Sequence, residues 1–146
     1  MNRLFLLTST ALLCATAGSI QAKPAHLKWA AAPSALPSGA QMAVVKGDPG
    51  KKGPFVVELK MPVDYAVPAH WHPTDETVKV LSGRIGYGMS DKLDEAKAKH
   101  LTPGHSVTMK AKRHHWVFAS GAATVEVSGM GPFQITYVDP KDDPRH

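Results

Sequence analysis

The chain has 146 residues, enough for one domain, with 17 basic against 12 acidic residues and a net charge of +5. The lysines and arginines are scattered, no basic run is interleaved with aromatic residues, and no nucleic-acid motif is present, so the charge reads as solvated surface and excludes a nucleic-acid partner. Cys14 is the only cysteine, which excludes a disulfide framework.

Residues 1–22 read as a secretory signal: Arg3 gives a weakly basic start, residues 4–17 are almost wholly apolar or small, and small and polar residues lead to Gln21-Ala22. The apolar run is shorter than the about 20 residues that a membrane span requires. Cleavage is expected after Ala22, with Ser19 as the alternative. Leu13 stands before Cys14, where a lipoprotein signal has a small residue, so Cys14 is expected to leave with the signal. The mature chain of about 120 residues is then a periplasmic or secreted protein with no membrane anchor, standing on its hydrophobic core alone.

Residues 23–40 carry Pro24, Pro33, Pro37, Ser34, Ser38 and many alanines, the composition of an extended N-terminal arm laid on the domain surface. From 41 to 146 the chain reads as one unit. Its 12 prolines and 12 glycines recur at close spacing, and short β-branched or alternating segments lie between them. Strands are predicted at 42–46, 55–61, 76–82, 84–89, 105–109, 114–119, 124–128 and 133–138, with tight turns at Ser82-Gly83 and Ser120-Gly121. In 76–82, Glu76, Val78 and Val80 share one face, and Thr77, Lys79 and Leu81 the other. In 84–89, Tyr87 and Met89 share a barrel-facing side, as core or pocket lining. Residues 91–100 suit a short helix or a loop insertion, with Asp91 as a cap and Pro103-Gly104 as the stop. The fold class is all-β: a small jelly-roll barrel of about eight or more strands.

Chemistry concentrates in His70-Trp71-His72-Pro73-Thr74-Asp75-Glu76. Residues two apart on a strand point to one side, so His70 and His72 aim both imidazoles into one space. Pro73 to Asp75 make a turn, and Glu76 opens the next strand beside the pair. Asp75 reads as a turn former. A third imidazole would come from Arg113-His114-His115-Trp116-Val117-Phe118. His114 and His115 face opposite ways on a strand, and alternation alone does not choose between them.

The run from His70 to Gly83, H-x-H, three residues, E, six residues, G, resembles the first cupin motif at every spacing. Laid on the second motif, Gly104 fits the opening Gly and His115 falls on the metal-binding His. Lys110 and Lys112 stand where that motif usually has Pro and Gly, and Ala119 where an Asn often ends it. With Gly131-Pro132-Phe133 and Ile135 to Val138, the wording is similar to small single-domain cupins like the cupin half of the ChrR anti-sigma factor. The resemblance implies one metal ion held by His70, His72, Glu76 and His115, and a homodimer. Three imidazoles and one carboxylate suit a divalent transition metal (Zn, Fe, Mn, Ni, Co or Cu), not Ca or Mg. Two functions follow as expectations. One is a metal-dependent enzyme of oxygenase or isomerase type acting on a small molecule. The other is a non-catalytic metal- and ligand-binding module. A barrel with a vestigial site is a third, weaker alternative.

Overall fold

The computed structural model describes residues 26–146. The signal assigned to residues 1–22, and its cleavage site, lie outside the described residues. Eleven strands follow in order: β1 (Ala30–Ala31), β2 (Gln41–Lys46), β3 (Gly53–Met61), β4 (Ala66–Trp71), β5 (Glu76–Ser82), β6 (Ile85–Gly88), β7 (Lys99–Leu101), β8 (Ser106–Met109), β9 (His115–Ala119), β10 (Ala123–Gly131) and β11 (Thr136–Tyr137). They form two antiparallel sheets, ordered β1-β2-β3-β10-β5-β8 and β11-β4-β9-β6-β7. From β3 onward the chain passes back and forth between the sheets, with β6 and β7 consecutive in one of them, which is how a jelly roll closes its two layers.

The alternation predicted for β5 holds: Val78 and Val80 are buried and Lys79 is exposed. Phe55, Val57, Leu59 and Met61 of β3, and Val125 and Val127 of β10, join them on the inner face of the six-stranded sheet. Val67, Ile85, Ala119 and Tyr137 answer from the other layer. Burial of these side chains is worth roughly 1.5–3 kcal/mol each, and it carries a fold that has no cross-link among its described residues.

The five-stranded sheet is also covered on its outer face. Ala69, Trp116 and Phe118 cluster there beneath Leu93, Ala98 and Val138. Segment 91–100 supplies this cover, mostly as the loop insertion that is the alternative to a short helix. It makes one 3-10 turn, Glu95–Lys97, and the cap is Asp94, not Asp91. Residues 99–101 pair with β6 as β7, so tertiary pairing overrides the local helix preference. Asp91 instead accepts a hydrogen bond from Nδ1 of His114 at 2.7 Å.

The described part of segment 23–40 is bound to the barrel. β1 pairs with β2, and Ala32 N donates to Ala40 O at 3.0 Å, closing a loop between them. Ala35 and Leu36 of that loop pack against the core. Two tyrosine hydroxyls fasten it: Tyr65 donates to Pro37 O and Tyr137 to Ala35 O, each at 2.8 Å. The loop bridges the two sheets where their edge strands β1 and β11 lie.

β6 reads Ile-Gly-Tyr-Gly because its two glycines lie beneath aromatic rings. Gly88 is paired with Trp116, and a Cβ there would sit 2.1 Å from the indole. The indole is itself anchored by Nε1 donating to Ser90 Oγ at 2.9 Å. Gly88→Ala is therefore expected to destabilise the fold by about 1–3 kcal/mol through overpacking, measured by urea unfolding. An unchanged midpoint would mean that the ring is free to move.

Candidate metal centre

His70, His72, Glu76 and His115 meet inside the barrel. Their exposures are 4, 2, 8 and 1%, so all four are buried. One ligand atom from each lies within 4.8 Å of the others. The His70, His72 and His115 rings approach one another with centroids 4.3–5.2 Å apart.

A break in β4 makes this convergence possible. In strict alternation, Val67 and His70 would face opposite ways. The β4–β9 register pairs Val67 with Val117 and His70 with His115, so β4 carries one extra residue between those pairs. Pro68, which has no N–H to give to a ladder, lies in this bulge. The phase therefore flips: Val67 and His70 both face inward, while Ala69 packs outside against Trp116 and Phe118. His72 follows on the inward phase. Glu76 begins β5 after the 73–75 turn, opposite Gly129.

Each imidazole is oriented by a backbone carbonyl. Nδ1 of His70 lies 2.6 Å from Pro68 O, that of His72 2.7 Å from Gln134 O, and that of His115 2.9 Å from Arg113 O. A carbonyl oxygen only accepts, so each Nδ1 carries the proton and donates. All three Nε2 atoms are left as lone pairs. Glu76 Oε2 lies 3.5 Å from His72 Nε2 and 3.3 Å from His115 Nε2. Neither contact has hydrogen-bond geometry, and both nitrogens are buried without a hydrogen-bond partner. Buried polar atoms rarely lack partners in native folds, and each costs roughly 1–3 kcal/mol. These two nitrogens, with the Nε2 of His70 and the Glu76 carboxylate beside them, make up the donor set of a transition-metal site.

Electrostatics readies His70 and Glu76 for ligation and sets a proton in competition at His72. Burial, with the neighbouring His115 and His72, pushes His70 down to about 3, so it stays neutral. Burial alone would raise the Glu76 carboxyl, but the imidazoles of His115 and His72 outweigh it and hold it well below the usual carboxylate range. His72 is pulled down by burial, yet Glu76 raises it above the ordinary histidine value on balance.

The two histidines of the second segment face opposite ways. His115 opens β9 facing inward with Val117 and Ala119, and His114 turns out to Asp91. The turn before His115 is shaped without the usual Pro and Gly. Lys112 takes the left-handed backbone itself, with φ of 60°. Its N–H donates to His72 O at 2.7 Å, tying the turn to the first histidine pair. Asp75 holds the same turn, accepting from Lys110 Nζ and Ala111 N, each at 2.8 Å. It acts as the turn former that the sequence suggests, but across two segments. His105 is exposed, hydrogen-bonded to Thr102.

The cluster forms part of the wall of a cavity of about 550 Å³. The remaining wall is chiefly apolar, with Met42, Leu59, Val78, Val117 and Val127 among its residues. Tyr87 and Met89 do not line it. Three contributors escaped the sequence. Phe133 stacks on His72 with centroids 4.6 Å apart, Gln134 supplies the carbonyl for His72, and Tyr137 packs 5.9 Å from His70. Segment 133–138 forms a strand only at Thr136–Tyr137, because Phe133 and Gln134 bend over the site, with Phe133 N donating to Pro49 O at 2.6 Å.

A non-glycine residue in the left-handed region costs about 1–2 kcal/mol, partly offset for glycine by its entropy in the unfolded chain. Lys112→Gly is therefore expected to leave the thermal midpoint equal or higher. Lys112→Val is expected to lower stability by at least about 1 kcal/mol. A drop with the glycine variant would contradict the strain assigned to this turn.

No protein-family model matches the sequence, and no curated protein matches it. Solved structures do. One similar chain is a Methylibium petroleiphilum protein provisionally described as an acetylacetone dioxygenase, 17% identical at a TM-score of 0.65 over 91% of this chain and 90% of that one. An RmlC-like cupin of Shewanella frigidimarina is 11% identical with a TM-score of 0.59, covering 77% of this chain and 91% of its own. The polyketide cyclase RemF of Streptomyces resistomycificus is 18% identical with a TM-score of 0.58, covering 72% and 75%. The chain has the fold of these cupin and double-stranded β-helix structures.

Proposed function

We propose that the protein is an exported, metal-dependent cupin that acts on a small molecule held in the barrel cavity. One divalent transition metal would be held by His70, His72, Glu76 and His115. The observation that carries the reading is the common tautomer of three buried imidazoles, whose Nε2 lone pairs gather with one carboxylate at the wall of a large cavity. The Nε2 atoms of His72 and His115 have no hydrogen-bond partner among the described residues.

Such an ion would supply Lewis acidity, or a place for dioxygen beside the substrate. The chain's own part is narrower. The three carbonyls fix ring tautomer and direction, as outer-shell partners do in metal sites. The apolar wall excludes water and strengthens electrostatic interactions inside. Glu76 would be ligand and, when released, a base for a proton on the bound molecule. No other carboxylate or imidazole lines the cavity among the described residues, and Arg145 is its one further ionisable contributor. That scarcity fits a reaction carried by the metal, of oxygenase or isomerase type. It equally suits the second reading, a module that captures a ligand without changing it. Turnover or oxygen uptake by the loaded protein favours the enzyme, and recovery of an unchanged ligand favours the module.

Metal analysis of the purified chain is expected to find one equivalent of a transition metal. His72→Ala and Glu76→Gln should each lower metal affinity by at least about tenfold. Retention of metal by both variants would remove the assignment. Affinity should also fall as pH is lowered. Below its raised pKa His72 holds a proton against Glu76, and metal must displace that proton. Calorimetry in buffers of different ionisation enthalpy should read proton release on binding. Metal affinity that is independent of pH between 7 and 5.5 would count against His72 as a ligand.

A further inference from the structure

The walls of the cavity restrict what it can hold. On β3, Phe55, Val57, Leu59 and Met61 all face into it. Those six residues of rise span about 20 Å at roughly 3.3 Å each. Glu76 lies level with the Phe55 end, through Gly129. From there towards Met61 the inner face of β3 and β10 presents no hydrogen-bonding side chain. Gln134, Thr136 and Arg145 also line the cavity, but all three are exposed and so lie where it meets solvent. The Arg145 guanidinium is committed. Its Nε donates to Asp143 Oδ1 at 2.7 Å, and its Nη2 to Asp143 Oδ2 at 2.6 Å and to Ile135 O at 3.2 Å. The Tyr65 and Tyr137 hydroxyls are spent on the β1–β2 loop.

A polyhydroxylated ligand would leave its hydroxyls unpaired here, each costing roughly 1–3 kcal/mol. An apolar body has no such penalty. Charge narrows the head group. Three neutral imidazoles, one carboxylate and a divalent ion sum to one net positive charge, buried among apolar walls. A buried charge is costly unless paired, so a single negative head is favoured.

We propose that the cavity is built for a monoanionic amphiphile: one ionisable oxygen head at the His70–His72–Glu76–His115 cluster and an apolar body along the β3 and β10 wall. Leu36, presented by the tyrosine-fastened loop, sets how much bulk that body can have. This rests on the metal reading above, and the test separates the two.

Metal-loaded protein is titrated by calorimetry with aceto-, butano- and hexanohydroxamate, and with the six-carbon hydroxamate of gluconic acid. Affinity should rise about fourfold per methylene, the factor given by about 0.8 kcal/mol. The gluconic acid probe should bind no tighter than acetohydroxamate. Leu36→Trp should weaken hexanohydroxamate at least tenfold while leaving acetohydroxamate unchanged. Binding that is independent of chain length, or equal for the gluconic and hexanoic probes, would overturn the proposal with the metal centre still standing. Failure of acetohydroxamate to bind protein shown to carry metal would overturn it as well. A chain that takes up no metal would bring down the metal reading itself. If Leu36→Trp does not fold, Leu36→Ala serves: it should admit a branched hexanohydroxamate more tightly than wild type does, and equal binding would contradict the role of Leu36.

Discussion

A backbone carbonyl can accept a hydrogen bond and never donate one. Pro68, Gln134 and Arg113 each present a carbonyl to the Nδ1 of a buried imidazole, and the chemistry of the barrel follows from that. With the proton fixed on Nδ1, each ring in its neutral form offers a bare Nε2. Those nitrogens point at one another and at Glu76, away from water. A cation between these groups would compensate their burial, which is why a metal is proposed there. The carbonyls, the tautomer and the proposed metal site are one constraint seen at three distances.

The sheets exist in the form that meets this constraint. Two of the three carbonyls come from residues two positions before the histidine they orient, so local backbone shape sets the ring. The third reaches across from residue 134, which is why the chain leaves strand geometry just before β11. On the outer side, Trp116 and Phe118 close directly onto the backbone of Gly88 and Gly86. That packing fixes β9, and therefore His115, from behind. Asp75 and Lys112 fix the same strand from its start by tying its leading turn to the first histidine pair.

Much of this was legible in the sequence, and the boundary has physical causes. Period-two alternation exposed β3, β5 and β10 because each has one face in the core and the other outside it. His70, His72 and Glu76 stood out because their chemistry is local: a pair on one strand face, a turn, and a carboxylate. His115 against His114 was not decided by alternation, since both faces of β9 are buried, and the family resemblance made the choice. The bulge at Pro68 was invisible, because an extra residue in one strand shows only against its partner's register. In loop 33–37 composition shows only an extended arm, because its anchors are tyrosines 28 and 102 residues away. For 91–100 composition leaves a short helix or a loop insertion open, and pairing of residues 99–101 with β6, a contact that composition does not record, favours the loop.

X-ray absorption spectroscopy of the metal-loaded protein tests the central claim directly. It should find one ion whose inner shell contains three imidazole nitrogens, seen by their ring scattering, and at least one oxygen, with Zn–N distances near about 2.0–2.1 Å if zinc is used. A shell with one imidazole or none, or one dominated by oxygen alone, would contradict the convergence of His70, His72 and His115 on a common cation.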